Sequence, residues 1–207
     1  MNKARILLGR RCSFMQIYLI RHGQTDWNIR GKLQGSMDIE LNQTGITQAK
    51  LLSNTLLNSD YNFSAIYSSP QKRAIQTAQI LSELTKVKYV SIEGLQEINF
   101  GEWEGLTWNE IEERYPAQYK KWSVNQRYSK PPKGESYQEL LNRVLPAIHK
   151  VIKRNRENVV IVTHRAVIMC LQCYLTNTPF DQMMKFNMDN SSILKLDSKL
   201  FISENVQ

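Results

Sequence analysis

Two short apolar runs, each ending in a histidine, constrain this chain more than any other feature. The first is Ile17-Tyr18-Leu19-Ile20, followed at once by Arg21-His22-Gly23. The second is Val159-Val160-Ile161-Val162-Thr163, followed by His164-Arg165. Both are β-prone and uncharged, so both read as strands buried on the two faces of a sheet. Helical patterns alternate with further short apolar runs along the chain. This predicts an α/β fold, a three-layer α/β/α sandwich with a mostly parallel central sheet. In such sheets ligands bind at the carboxyl ends of the strands, where Arg21, His22 and His164 are delivered.

The remaining elements can be placed coarsely. Residues 29–43 form a polar loop containing Gly31, Gln34 and Gly35, suited to walling a site. Thr44 is the expected N-cap of a helix carrying Ile46, Ala49, Leu52, Leu56 and Leu57 at helical spacing. Residues 64–67 suit a second strand and 87–92 a third. Between them Ser68-Ser69-Pro70 opens a helix with Pro70 in its first turn and Arg73 beyond it. Residues 93–134 are richer in Trp, Tyr and Glu. They suit a lid of two short helices over 107–115 and 116–124, with Thr107 and Glu110 in capping-box spacing. A long helix follows over 135–156, bent at Pro146. A helix over 166–175 and a last strand over 192–196 complete the pattern.

A chain of 207 residues that is 42% hydrophobic and 22% charged suits one soluble domain, over 16–207, preceded by an extension over 1–15. No apolar run reaches the roughly 18–20 residues of a membrane span. Net charge is +8, and Lys3, Arg5, Arg10 and Arg11 supply four of those charges. The mild basic excess of the remainder fits an anionic ligand. No basic stripe interleaved with aromatics is present, so a small molecule is expected as partner, with neither nucleic acid nor membrane. The extension lacks the longer apolar core and cleavage site of a secretory signal. It reads equally as an Arg-rich targeting segment or as a start assigned upstream of Met15. Cys12, Cys170 and Cys173 form a sparse, odd set, which argues for a reducing, cytoplasmic setting. Cys170 and Cys173 read as small apolar residues on one helix face. No His-Glu-x-x-His or paired-carboxylate pattern occurs, so no metal and no cofactor are expected.

The run Arg21-His22-Gly23-Gln24-Thr25-x-x-Asn28 resembles the signature of the histidine phosphatase superfamily, the phosphoglycerate mutase-like enzymes. The resemblance extends from about Gln16 to about Asp197. It implies that His22 becomes phosphorylated and that Arg21, Arg73 and His164 form the phosphate pocket. It further implies that Glu97, in Leu95-Gln96-Glu97, is the proton donor, and that Asn28 is the signature asparagine. Gly134-Glu135-Ser136 resembles a recurring family segment, which implies that Ser136 lines the site beside Gln34 and Gly35. His149 matches nothing and reads as structural or exposed.

The chemistry of these residue types is coherent. A neutral imidazole can take a phosphoryl group and split hydrolysis into two easier steps, provided its other nitrogen is held protonated. His22 is placed for this at the rigid end of a strand. Charge on the transferred group calls for cationic donors. Arg21 and Arg73 suit that role because a guanidinium binds two oxygens at once; Asn28 and His164 add further donors. A carboxyl beside phosphate holds its proton more firmly, which suits Glu97 to protonate a leaving alcohol and then to activate water.

Two departures bear on substrate. Many superfamily members carry His-Gly after the second strand, whereas here the run is His164-Arg165-Ala166-Val167. It is closer to the His-x-Ala-Val of fructose-2,6-bisphosphatase domains, which hints at a sugar phosphate. Arg165 either adds charge to the pocket or points to solvent. The stretch between Glu97 and the long helix is short beside that of cofactor-dependent phosphoglycerate mutases, and a more open site favours hydrolysis over phosphoryl return. The expected function is thus a phosphatase acting on small phosphomonoesters through a phosphohistidine, as monomer or dimer. The alternatives are a phosphoglycerate mutase and a non-catalytic phospholigand-binding module.

Overall fold

A computed structural model of the chain describes residues 14–201. Expectations for residues 1–13, Cys12 among them, lie outside the described residues. The elements in chain order are β1 (Gln16–Arg21), α1 (Asp26–Ile29), α2 (Gln43–Leu57), β2 (Ala65–Ser68), α3 (Lys72–Thr85) and β3 (Tyr89–Ser91). They continue with α4 (Trp108–Arg114), α5 (Pro116–Ser123), α6 (Tyr137–Arg154), β4 (Val159–Thr163), α7 (Arg165–Thr176) and β5 (Ile193–Asp197).

The strands form one sheet in the order β3-β2-β4-β1-β5. All neighbours are parallel except β5, which runs antiparallel to β1. The two uncharged runs are the adjacent strands β1 and β4, and their period of two serves both faces. Ile17, Leu19, Val159 and Ile161 pack into the larger core with α6 and α7. Tyr18, Ile20, Val160 and Val162 pack into a second core with α2 and α3. This is the three-layer arrangement that the apolar runs require.

The topology also explains where a crevice opens. β1 leads to α2 on one face, and β4 leads to α7 on the other. Chains leaving two adjacent parallel strands toward opposite faces part at the carboxyl edge, and the gap between them is the preferred ligand site of open α/β sheets.

Several boundaries differ from the sequence expectation for physical reasons. The cap of α2 is Asn42, not Thr44: its Oδ1 accepts from Gly45 N at 2.8 Å. Its Nδ2 donates to Gln24 Oε1 at 3.2 Å, which ties the helix start to the signature loop. α3 begins at Lys72, so Pro70 precedes its first turn. β3 is only three residues long, because it lies at the sheet edge and pairs with β2 alone. The Thr107/Glu110 capping box forms as spaced. α6 keeps Pro146 in its interior. Cys170 and Cys173 are free, buried and part of the larger core. Burial pushes the Cys173 thiol up to about 11. His149 Nε2–H donates to Phe201 O at 2.7 Å, a structural contact on α6.

Candidate active site

The register of β1 against β4 pairs Arg21 with Thr163, and His22 N donates to Thr163 O at 3.0 Å. The two residues just past these strands, His22 and His164, therefore emerge side by side, with ring centroids 5.2 Å apart. Each ring has a tautomer set by its partners. His22 Nδ1 lies 2.7 Å from Gly23 O. A carbonyl can only accept, so Nδ1 carries the proton and Nε2 keeps its lone pair. Among the described residues Nε2 has no hydrogen-bond partner. Burial, and then the charges of Arg73 and Arg21, hold the His22 pKa well below its ordinary value, so the ring is neutral.

His164 has the opposite tautomer. Its Nδ1 accepts from Arg73 Nε at 3.2 Å, which leaves Nε2–H to donate to Ser69 Oγ at 2.7 Å. The ring is fully buried, and burial followed by Arg73 depresses its pKa as well.

Gly23 is required by close approach rather than by a special φ. A Cβ there would lie 2.6 Å from Gly45 O, and one on Gly45 would lie 2.1 Å from Gln24 O. The start of α2 thus presses directly on the turn whose carbonyl orients His22.

Arg73, in the first turn of α3, is fully buried. It donates to Met37 O at 2.7 Å and to Gly35 O at 2.9 Å, so it lashes the polar loop to the sheet edge. Arg21 donates to Met188 O, while its Nε is buried without a partner. Neither guanidinium has an ion pair among the described residues. Burial lowers both to about 10; for Arg21 the positive charge of Arg165 adds to this. The carboxylates of Glu97, Asp38 and Glu104 act on Arg73, and those of Glu97 and Asp189 on Arg21, but none pairs directly, so two desolvated cations are prepared for an anionic ligand.

Glu97 is held by contacts from distant elements. Its Oε2 accepts from Ala166 N, in the first turn of α7, at 3.2 Å, and its Oε1 accepts from Ile98 N at 3.0 Å. Asn28 Oδ1 accepts from Thr25 N at 3.0 Å and from Asn190 Nδ2 at 3.2 Å. That leaves the Asn28 Nδ2 group as a donor with no protein partner among the described residues.

A cavity of about 510 Å³ opens over this edge, bordered by Arg21, His22, Asn28, Gln34, Gly35, Arg73 and Glu97. Arg165 also borders it rather than turning away, with its Nε buried and unpartnered. Part of the lining is aromatic: Phe100, Trp108, Tyr119, Trp122 and Tyr137. His164 stands behind Arg73 and does not line the cavity. Ser136 is placed elsewhere than expected. It caps α6 through a capping box with Glu139 and does not border the cavity. Its segment contributes instead through Glu135, which pairs with Arg143 at 2.7 Å. Among the described residues no cluster of His, Cys, Asp or Glu could hold a metal ion, and no helix is long and apolar enough to cross a membrane.

Three positioning residues were missed in the sequence reading. Gln71 Nε2 donates to Gly35 O at 2.8 Å, and its Oε1 accepts from Glu97 N at 2.8 Å. Arg143 donates to the carbonyls of Gly94, Gln96 and Glu97 at 3.1, 2.8 and 2.9 Å. Asn190 Nδ2 donates to His22 O at 2.9 Å. Gln71 lies beside Arg73 in sequence and was within reach of a local reading. Arg143 and Asn190 carried no local signal.

The chain is similar to known proteins in sequence and fold. The profile described as "Histidine phosphatase superfamily (branch 1)" matches residues 17–199. Phosphoserine phosphatase 1 of Hydrogenobacter thermophilus is 32% identical over 179 residues, covering 86% of this chain and 84% of its own. Human 6-phosphofructo-2-kinase/fructose-2,6-bisphosphatase 1 is 34% identical over 180 residues, which cover 87% of this chain but 36% of that protein. Among solved structures, a mycobacterial glucosyl-3-phosphoglycerate phosphatase complexed with VO3 superposes with a TM-score of 0.78 at 28% identity. That match covers 88% of this chain and 91% of the other.

Proposed function

The chain belongs to the histidine phosphatase superfamily, branch 1, and from that premise we propose that it hydrolyses small phosphomonoesters through a phosphohistidine at His22. The observation that carries this reading is the His22 tautomer. Nδ1–H is committed to Gly23 O, and the unpartnered Nε2 belongs to a residue that borders the cavity with two guanidiniums.

In the first step the Nε2 lone pair attacks phosphorus and the P–O bond to the alcohol breaks. Glu97 gives its proton to the departing oxygen. The imidazole ring gains positive charge as the P–N bond forms, and the bond from Nδ1–H to Gly23 O stabilises it. Arg21, Arg73 and the Asn28 amide bind the phosphoryl oxygens. His164 acts through Arg73, holding the Nε edge of that guanidinium in place. In the second step Glu97 takes a proton from water, the water oxygen bonds to phosphorus and the P–N bond breaks. Inorganic phosphate and neutral His22 are restored. The substrates are small phosphomonoesters of the sugar phosphate, phosphoglycerate or nucleotide-like type, α-ribazole phosphate among them, in a soluble and cytoplasmic setting.

The test is phosphate release from a phosphomonoester panel by wild type and His22→Ala, with and without chelator, together with trapping of the intermediate. Release that is unaffected by chelator and abolished in His22→Ala, with an acid-labile, alkali-stable phosphoenzyme in wild type only, is the expected result. Full activity in His22→Ala, or a requirement for metal, would overturn it. Interconversion of phosphoglycerates without free phosphate would assign the chain to the mutases instead.

A further inference from the structure

The lining of the cavity holds two chemically distinct groups of residues, and the phosphatase reading uses only one. Besides Arg21, His22 and Arg73 it includes Trp108 and Trp122, which stack with centroids 5.2 Å apart at an interplanar angle of 23°. Tyr119 packs on Trp122 at 6.2 Å and 26°, and is tilted by 47° to Trp108 at 6.3 Å. Phe100 meets Trp108 edge to face at 5.9 Å. Trp122 and Phe100 are buried, whereas Trp108 and Tyr119 are half-buried, and all four border the cavity. Met169 and Met183 add flexible apolar surface beside them. These mutually packed rings form an apolar aromatic platform in the cavity lining, with Trp108 and Tyr119 as its partly exposed members, a surface that favours another apolar or aromatic group.

The other charged groups that border the cavity are Lys32, Glu97, Arg165 and Asp181. The positive charge of Arg165 acts on Arg21, so it is grouped with the phosphate-binding residues. Lys32 Nζ is drawn over the Trp27 ring, 5.9 Å from its centroid. Gln34 is buried, with its Oε1 unpartnered, and it borders the same cavity, which gives one polar handle for a substrate. A small polar alcohol such as a phosphorylated amino acid would leave the platform uncovered. A larger flat alcohol would cover it while its phosphate sits between the guanidiniums.

We propose that the substrate of this site is a phosphomonoester whose alcohol carries a largely apolar body, aromatic or heteroaromatic, seated against the platform at its partly exposed rings, Trp108 and Tyr119. The inference rests on the phosphatase reading and adds the substrate class to it.

The experiment compares primary alkyl esters, so that leaving-group reactivity is similar across them. Benzyl phosphate and 2-phenylethyl phosphate are set against ethyl phosphate, phosphoserine and 3-phosphoglycerate, in wild type, Trp108→Leu and Tyr119→Leu. The readout is the benzyl-to-ethyl ratio of kcat/KM within one preparation, which cancels any loss of folded enzyme. A wild-type ratio of about tenfold or more, falling toward one in both variants, is expected. That is roughly 1.4 kcal/mol of transition-state binding. A wild-type ratio near one, a ratio untouched by both substitutions, or faster turnover of phosphoserine or 3-phosphoglycerate than of benzyl phosphate would overturn the inference while leaving the phosphatase reading intact. If no ester is hydrolysed, the phosphatase reading fails. Thermal stabilisation by benzylphosphonate against methylphosphonate then tests the platform alone. Equal stabilisation by the two would overturn it; a clear excess for benzylphosphonate, lost in Trp108→Leu, would support it.

Discussion

The carboxylate of Glu97 accepts a hydrogen bond from the backbone N–H of Ala166, 3.2 Å away and 69 residues later in the chain. The acid proposed for the leaving group is thereby fixed to the helix that starts immediately after His164. Glu97→Gln keeps an acceptor for Ala166 N but supplies no acidic proton. Its kcat on alkyl phosphates is expected to fall by about 10²–10⁴. On p-nitrophenyl phosphate, whose leaving group needs little protonation, the first step should be largely spared. Rapid-quench kinetics on the two esters measures the difference; equal losses on both would argue against Glu97 as the acid.

Arg143 is expected to act on activity without touching substrate. Its guanidinium bridges Glu135 and the carbonyls of Gly94, Gln96 and Glu97. Arg143→Lys retains the charge but loses the planar fork. The loop carrying Glu97 should loosen, with kcat falling about tenfold and KM nearly unchanged, at a stability cost of about 1–3 kcal/mol for carbonyls left unpaired. Steady-state kinetics beside urea denaturation separates the two effects.

Gly45 is expected to be intolerant of even one methyl group. An alanine Cβ would lie 2.1 Å from Gln24 O, a backbone atom that can move only with the signature loop. Gly45→Ala should cost about 1–3 kcal/mol from overpacking. It should also lower kcat by shifting the Gly23 carbonyl that orients His22. Thermal melting and kcat on one preparation check both, and a fully active, equally stable Gly45→Ala would refute the close-contact argument.

The two buried histidines set a direction for pH. Burial, then Arg73, lowers the folded pKa of both His22 and His164. In the unfolded chain each titrates near about 6.5. Below that pH the unfolded state binds more protons than the folded one, so stability falls as pH falls, by up to about 1.4 kcal/mol per pH unit for each histidine. Above about 6.5 this contribution is fully present. Denaturation at pH 7.5, 6.5 and 5.5 in phosphate-free buffer should show the decline, with a shallower slope in His164→Gln. The rate should not lose its nucleophile through pH 6.5, because folded His22 stays neutral there.

Arg165 borders the cavity and pushes the Arg21 pKa down. Two cations repelling each other beside one cavity should be relieved by anion binding. Inorganic phosphate is expected to raise the Tm of wild type, and to raise that of Arg165→Gln by less. Without phosphate, Arg165→Gln should melt at the same temperature or higher. Differential scanning calorimetry across a phosphate series reads both outcomes.

The sequence by itself determined the buried strands, because an uncharged β-prone run between helical patterns has no other stable place than inside a covered sheet. It also determined which residues stand at the strand ends, since Arg21, His22 and His164 follow the apolar runs directly. The Thr107/Glu110 box was legible for the same reason: its partners are three residues apart. Local reading failed where a residue could serve two partners. Asn42 outcompeted Thr44 as a cap by also bonding Gln24, and Ser136 was taken up by its own helix start rather than by the site. What only the tertiary structure decided are relations between residues far apart. The tautomer of His164 depends on Arg73 and Ser69, the position of Glu97 on Gln71, Arg143 and Ala166, and the direction of Arg165 on the cavity beside it. Hydrogen-bond partners and burial set protonation and orientation, and chain folding brings those partners together across spans up to the 168 residues between His22 and Asn190.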